Sequence, residues 1–157
     1  MTVKSTNNAD RERKAIFAGS FNPFTAGHAS IVERGLNLFD RIYIVVGINS
    51  EKSATNAEES ASFIRNLYNN EARIDVIVWK GLMVDLARQL GVNFFLRGVR
   101  NTVDFEYERN MADINREISG IETVFLSSLP QFNALSSSML RELQSYGVNV
   151  DKWLPNK

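Results

Sequence analysis

No cysteine occurs in these 157 residues, which excludes a disulfide framework, a thiol nucleophile and thiolate zinc sites, and suits a reducing interior. Net charge is missing as well. Eighteen Lys plus Arg balance 18 Asp plus Glu, so no overall field favours nucleic acid or an anionic membrane. Any phosphate chemistry must therefore rest on a few local cations. No apolar run approaches the roughly 20 residues that span a bilayer. The opening "MTVKSTNNADRERK" is polar and lacks the apolar stretch of a signal peptide. Neither a Ser/His/Asp arrangement nor a carboxylate dyad is recognisable. Residues 1–12 read as a flexible polar leader and 13–157 as one domain, with the cytoplasm as the expected location.

Histidine and proline are scarce, one and three residues respectively, and their placement is informative. Residues 19–28, "GSFNPFTAGH", hold the only imidazole, His28, together with two glycines and a proline. This cluster falls between two periodic segments. "KAIFAG" (14–19) is a short buried-strand candidate, and "HASIVERGLNLF" (28–39) places Ile31, Val32, Leu36 and Phe39 at helical spacing.

The alternation continues along the chain. Strands are expected at 41–48, 73–79, 92–96 and 122–126. Helices are expected at 57–70, at 82–91 closed by Gly91, at 102–120 closed by Gly120, and at 136–147 opened by serines. "RIYIVVGI" is apolar throughout, as a strand covered on both faces must be. Hydrophobic residues at 44% and charged residues at 23% make an ordinary globular mixture. The expectation is a single α/β domain: a Rossmann-like, doubly wound, five-stranded parallel sheet with helices on both faces.

Such sheets bind ligands beyond the carboxyl ends of their strands. The segments there are "GSFNPFTAGH", "NSEK", "KGLM", "RGVRN" and "SSLPQFNALSSS". Four of the five carry glycines, a histidine, cations, or hydroxyls at a helix start, which is the equipment of phosphate binding. In the first, Gly19 and Ser20 let bare backbone approach an anion, Pro23 and Gly27 shape the turn, and Thr25 caps the next helix. His28 then sits in that helix's first turn, where free N–H groups and the positive dipole end favour phosphate. Lys52 follows a buried strand. Arg97 and Arg100 flank Gly98, where they could converge on phosphates as bidentate donors. Phe132 is a possible purine neighbour, and Ser136, Ser137 and Ser138 offer more donors than one N-cap needs.

Thr25-Ala26-Gly27-His28 resembles the T/HxGH signature of the nucleotidyltransferase superfamily, and "GSFNP" before it resembles that superfamily's GxFDP turn. Asn22 stands where Asp is usual, and Ser20 where Thr is more usual. Cytidylyltransferases, nicotinamide-mononucleotide adenylyltransferases and pantothenate-activating enzymes share this loop. "RGVRNTVDFEYE" narrows the resemblance, being similar to the RGLR-x-x-x-DFEYE block of bacterial phosphopantetheine adenylyltransferases. "ALSSSMLREL" likewise looks like their ISSS-x-x-x-E-L segment. The similarity runs from about Lys14 to Pro155, and "WLPNK" stops soon after the family's FLP, short of a terminal helix.

The resemblance implies transfer of AMP from ATP to 4′-phosphopantetheine, by a homohexamer, with Mg²⁺ entering as the counter-ion of ATP and no protein ligand assigned to it. Carried over residue by residue, Gly19, Ser20, Phe21 and His28 would line the ATP phosphates. Gly98, Val99, Arg100 and Glu108 would add nucleotide contacts, as would Phe132, Asn133, Ala134, Leu135, Ser136, Ser137 and Ser138. Ser20, Lys52, Met83 and Arg97 would hold phosphopantetheine. His28, Lys52 and Arg100 would be the catalytic residues.

Overall fold

The computed structural model describes residues 11–49 and 54–156. Five strands form one parallel sheet: β1 (Lys14–Gly19), β2 (Arg41–Gly47), β3 (Ile74–Trp79), β4 (Phe94–Val99) and β5 (Glu122–Ser127). Their spatial order is β3-β2-β1-β4-β5. The connecting helices are α1 (Ala26–Gly35), α2 (Ala54–Leu67), α3 (Met83–Leu90) and α4 (Thr102–Ser119), and α5 (Ser137–Ser145) follows the sheet.

Alternation within the strands sorts the core into two layers. On one face Ala15, Phe17, Ile42, Ile44 and Leu96 meet Ile31 and Val32 of α1 and Ala61 and Ile64 of α2. On the other, Ile16, Val45 and Phe95 meet Val84, Leu86 and Ala87 of α3. Ile16, Ile42 and Ile44 are fully buried, each stabilising the sheet by about 1.5–3 kcal/mol. A smaller cluster, Leu135, Leu140 and Val150, seats α5 against Ala26 and Phe132. No described helix is long and apolar enough to cross a membrane.

Two local differences from the sequence reading bear on the site. Strand β4 runs three residues beyond the expected end at Leu96, because β5 continues to pair with it: Arg97↔Phe125, Gly98↔Leu126 and Val99↔Ser127. Arg97, Gly98 and Val99 are therefore strand residues and not loop residues. Helix α1 ends at Gly35, and Leu36–Phe39 return in a turn that still buries Phe39. Glu12, read as part of the leader, accepts a hydrogen bond from Arg41 Nε at 3.1 Å. Residues 1–10 lie outside the described residues.

Candidate functional site

The sheet order reverses between β1 and β4, since β1 leads outward to β2 while β4 leads the other way to β5. Such a reversal is where open α/β sheets form their ligand crevice. Here β1 and β4 pair only at Ala15↔Phe94 and Ile16↔Phe95 and then part. A cavity of about 330 Å³ opens between their ends, lined by Gly19, Ser20, Phe21, His28, Arg97, Gly98 and Arg100 among others.

The β1–α1 loop forms one wall. Phe21 holds a positive φ of 46°, a left-handed conformation that a bulky side chain rarely takes and that clusters at functional sites. Its ring folds back so that a Cβ on Gly19 would lie 2.9 Å from Phe21 Cε1, which is why glycine is needed there. Phe17, Phe21 and Phe24 surround His28, with ring centroids 6.2, 5.0 and 5.4 Å from the imidazole.

Thr25 is buried at 2% exposure and caps α1. His28 N–H donates to Thr25 Oγ1 at 3.3 Å, while Thr25 N–H donates to His28 Nδ1 at 2.9 Å. The accepting Nδ1 carries no proton, so the neutral ring carries its proton on Nε2. Burial, reinforced by the positive charges of Arg97 and then Arg100, pushes the imidazole down to about 4. His28 is thus an uncharged N–H donor at neutral pH. Gly27 does not shape the turn as expected. It lies within α1, where a Cβ would meet Thr25 Oγ1 at 3.4 Å and Phe132 Cβ at 3.5 Å, the first slightly tight and the second ordinary.

The arginines are arranged differently from the expected pair of free donors. Arg97 forms a bidentate pair with Glu108, Nε to Oε2 and Nη2 to Oε1 both at 2.8 Å, and its Nη1 donates to the Ala18 carbonyl. Arg100 is held by Asp104, with Nε donating to Oδ2 at 2.8 Å and Nη2 to Oδ1 at 3.2 Å. Its Nη1 reaches the Leu135 carbonyl at 3.0 Å. Hydrogen bonding to Arg100 holds the Asp104 carboxyl below its usual range and so keeps it ionised. Glu108, expected to touch ATP, is the carboxylate that orients Arg97. Asp104 escaped the sequence reading, although its i,i+4 spacing from Arg100 at a helix start was a usable signal.

The opposite wall carries Phe132, Leu135, Ser136 and Ser137. The three serines have separate tasks. Ser136 caps α5 by accepting from Met139 N–H at 3.2 Å, Ser137 Oγ donates to the Pro23 carbonyl at 2.7 Å, and Ser138 Oγ lies 3.5 Å from Ser136 Oγ. Val99, Asn133, Ala134 and Ser138 are not on the cavity wall. Met83 lies on a neighbouring cavity of about 180 Å³, with Tyr107, Asn115 and Thr123, that shares Arg97 and Glu108 with the first. Lys52 lies outside the described residues.

This parallel sheet, with its cavity at the point where the strand order reverses, belongs to a cytidylyltransferase-like protein: the Cytidylyltransferase-like family model matches residues 16–143. Over 142 residues the chain is 48% identical to a phosphopantetheine adenylyltransferase of Porphyromonas gingivalis, covering 90% of this chain and 93% of that one. The enzyme of the same name from Bacteroides thetaiotaomicron is 44% identical, covering 91% and 95%. That of Flavobacterium johnsoniae is 43% identical, covering 92% and 95%. The chain belongs to the phosphopantetheine adenylyltransferase family. A structure described as a candidate nicotinate-nucleotide adenylyltransferase from Vibrio parahaemolyticus shares the fold. Its TM-score is 0.64 at 17% identity, over 93% of this chain and 95% of that one.

Proposed function

We propose that the protein transfers AMP from ATP to 4′-phosphopantetheine, yielding dephospho-coenzyme A and pyrophosphate. The observation that carries this reading is the Thr25–His28 arrangement at the sheet's switch point. It offers a neutral N–H donor and a helix N-terminus to a phosphate in a partly enclosed cavity. The attacking group is already an anionic phosphate oxygen, so the reaction requires no side-chain nucleophile and no strong base. What it requires is alignment of two anions and stabilisation of charge at the α-phosphate.

In this reading the nucleotide phosphates lie along Gly19, Ser20 and Phe21, His28 donates through Nε2 to the α-phosphate, and Arg100 adds positive charge. Glu108, Phe132, Leu135, Ser136 and Ser137, which line the same cavity, complete the nucleotide side. The acceptor's arm enters the cavity beside Met83, and its phosphate is met by Ser20, Lys52 and Arg97. Among the described residues no group of three or more His, Asp or Glu side chains is spaced to hold a metal, and Asp104 and Glu108 are each engaged by an arginine. In this reading Mg²⁺ enters as the counter-ion of ATP, held mainly by phosphate oxygens and water.

The same reading includes a homohexamer. No residue of α4 is buried, and Val103, Tyr107, Met111, Ile114 and Ile118 form an exposed stripe at helical spacing. Covering such a stripe would supply part of a subunit interface. Light scattering giving a 17.7 kDa particle at micromolar concentration would overturn the assembly.

The reaction is tested by pyrophosphate release from ATP with a panel of acceptors: 4′-phosphopantetheine, unphosphorylated pantetheine, and nicotinate and nicotinamide mononucleotides. Turnover with the first alone is expected. Comparable turnover of unphosphorylated pantetheine, or preference for a mononucleotide, would overturn it.

A further inference from the structure

The cavity wall opposite the β1–α1 loop hangs on an edge of the sheet. Strand β5 pairs with β4 alone, and none of its residues is buried. After its last residue, Ser127, the chain enters the segment that brings Ser128, Phe132 and Leu135 to the cavity. Bonds within that segment are local, with Phe132 N–H donating to Leu129 and Leu135 N–H to Phe132. They shape the segment without fixing where it stands. Its far end is tied to the β1–α1 loop by the bond from Ser137 to the Pro23 carbonyl. Its near end has one backbone tie to the sheet, from Ser128 N–H to the Val99 carbonyl at 2.7 Å.

Arg34 supplies a second tie there. It stands in the last turn of α1, and its Nη1 donates to the Ser127 carbonyl at 2.8 Å. The reach follows from how α1 lies on the sheet. Ile31, on the same helix face as Arg34, is close enough to β4 that a Cβ on Gly98 would be 2.9 Å from Ile31 Cγ1. A Cβ on Gly35 would be 2.6 Å from Leu96 Cδ2. These two approaches seat α1 directly on β4, and one long side chain then spans to the neighbouring strand. Among the described residues no carboxylate pairs with Arg34, so its charge strengthens the bond to that carbonyl. A cation in a last turn also suits the helix dipole, but that effect needs no partner on another strand. The helix that carries His28 in its first turn thus holds the opposite wall from its last.

We propose that Arg34 is a positioning residue: by clasping the end of β5 to α1, it sets the wall of Phe132 and Leu135 at a fixed distance from His28. The inference rests on the adenylyl-transfer reading above. There the phosphates lie along Gly19, Ser20 and His28, which leaves the apolar Phe132 and Leu135 to the adenosine end of the nucleotide. Loss of the clasp would loosen contacts to adenosine while the phosphate side, built on β1 and α1, stays in place. Arg34 itself touches no substrate.

The two directions of the reaction separate this role from a general loss of structure. ATP and dephospho-coenzyme A carry adenosine, whereas 4′-phosphopantetheine and pyrophosphate do not. In Arg34→Gln, which removes the charge and shortens the reach, the KM values for ATP and dephospho-coenzyme A are expected to rise about fivefold through lost binding. Those for 4′-phosphopantetheine and pyrophosphate should hold within about twofold. Arg34→Lys, which keeps a charged donor of similar reach, should recover most of the rise. Hydrogen exchange in Arg34→Gln should quicken at residues 128–135 and stay unchanged in β1 and β4. Four constants that rise together, a rise confined to 4′-phosphopantetheine or pyrophosphate, or unchanged constants with unchanged exchange would each overturn the proposal. A wild-type chain that releases no pyrophosphate with 4′-phosphopantetheine would overturn the reaction instead. Exchange at 128–135 and calorimetric titration of ATP would still decide whether Arg34 holds the wall.

Discussion

Thr25 donates its backbone N–H to Nδ1 of His28 at 2.9 Å, and this bond decides which face of the imidazole offers a proton to the cavity. The capping geometry of α1 and the protonation state of the site are therefore one arrangement. Removing the ring in His28→Ala deletes a donor directed at developing charge, a loss of roughly 3–4 kcal/mol, or about 10²–10³ in rate. The fall should appear in kcat, with the KM for ATP changed much less, because backbone N–H groups and Arg100 still hold the nucleotide. A change in kcat under about threefold, less than 1 kcal/mol, would return His28 to a purely structural role in the cap.

The same residue makes stability depend on pH. His28 titrates at about 4 in the folded chain against an ordinary value of 6.5, so below pH 6.5 the unfolded chain takes up a proton that the folded chain refuses. Stability should fall as pH drops from 6.5 toward 4, by about 1–2 kcal/mol between pH 7.5 and 5 after allowance for partial exposure. Asp40 and Glu71, each held at about 2 by a neighbouring arginine, lose their contribution only at lower pH. Urea denaturation at pH 7.5 and pH 5 should show this slope in the wild type and a flatter one in His28→Asn. Equal slopes would contradict the assignment.

Asp104 holds the Arg100 fork at two points while Leu135 takes a third. Asp104→Asn keeps the shape but loses the charge that orients the guanidinium. Arg100 should then swing toward solvent, raising the KM for ATP about tenfold, roughly 1.4 kcal/mol. Asp104→Glu should recover part of that. Unchanged nucleotide affinity in Asp104→Asn would show that Arg100 needs no such support.

Gly98 allows β4 and α1 to approach closely, since a Cβ there would lie 2.9 Å from Ile31 Cγ1. Ile31 is β-branched, buried and stiff, so Gly98→Ala should destabilise by about 1–3 kcal/mol through overpacking. Combining it with Ile31→Ala should cost less than the sum of the two single changes. Strict additivity in thermal or urea unfolding would rule out this contact as the reason for glycine.

How much of this the sequence disclosed follows from what its signals encode. Apolar β-branched runs such as 41–48 mark strands wherever they occur, and all five strands and five helices of the described chain lie close to their expected positions. The end of β4 was hidden because Arg97 and Gly98 carry no strand signal, and their pairing is imposed from outside by β5. Residue types at the site were legible: His28, Arg97, Arg100, Ser136 and Ser137 all line the cavity. Pairings were not. Glu108 reaches Arg97 across 11 positions of sequence, a contact between β4 and α4 that exists only once the helix has packed against the sheet. Gly27, conspicuous as a letter, turned out to lie within a helix.

Helix α4 supplies both carboxylates that orient the arginines, yet none of its residues is buried within the single chain. Its hold on the sheet includes the Phe105–Phe125 contact, with ring centroids 5.7 Å apart. A segment with so little apolar anchorage opens at low free-energy cost, and each opening releases Arg97 and Arg100 together. Subunit contacts over the exposed stripe would suppress that opening by mass action. Turnover per chain should therefore decline on dilution, before global unfolding begins, so that enzyme concentration becomes a variable of catalysis.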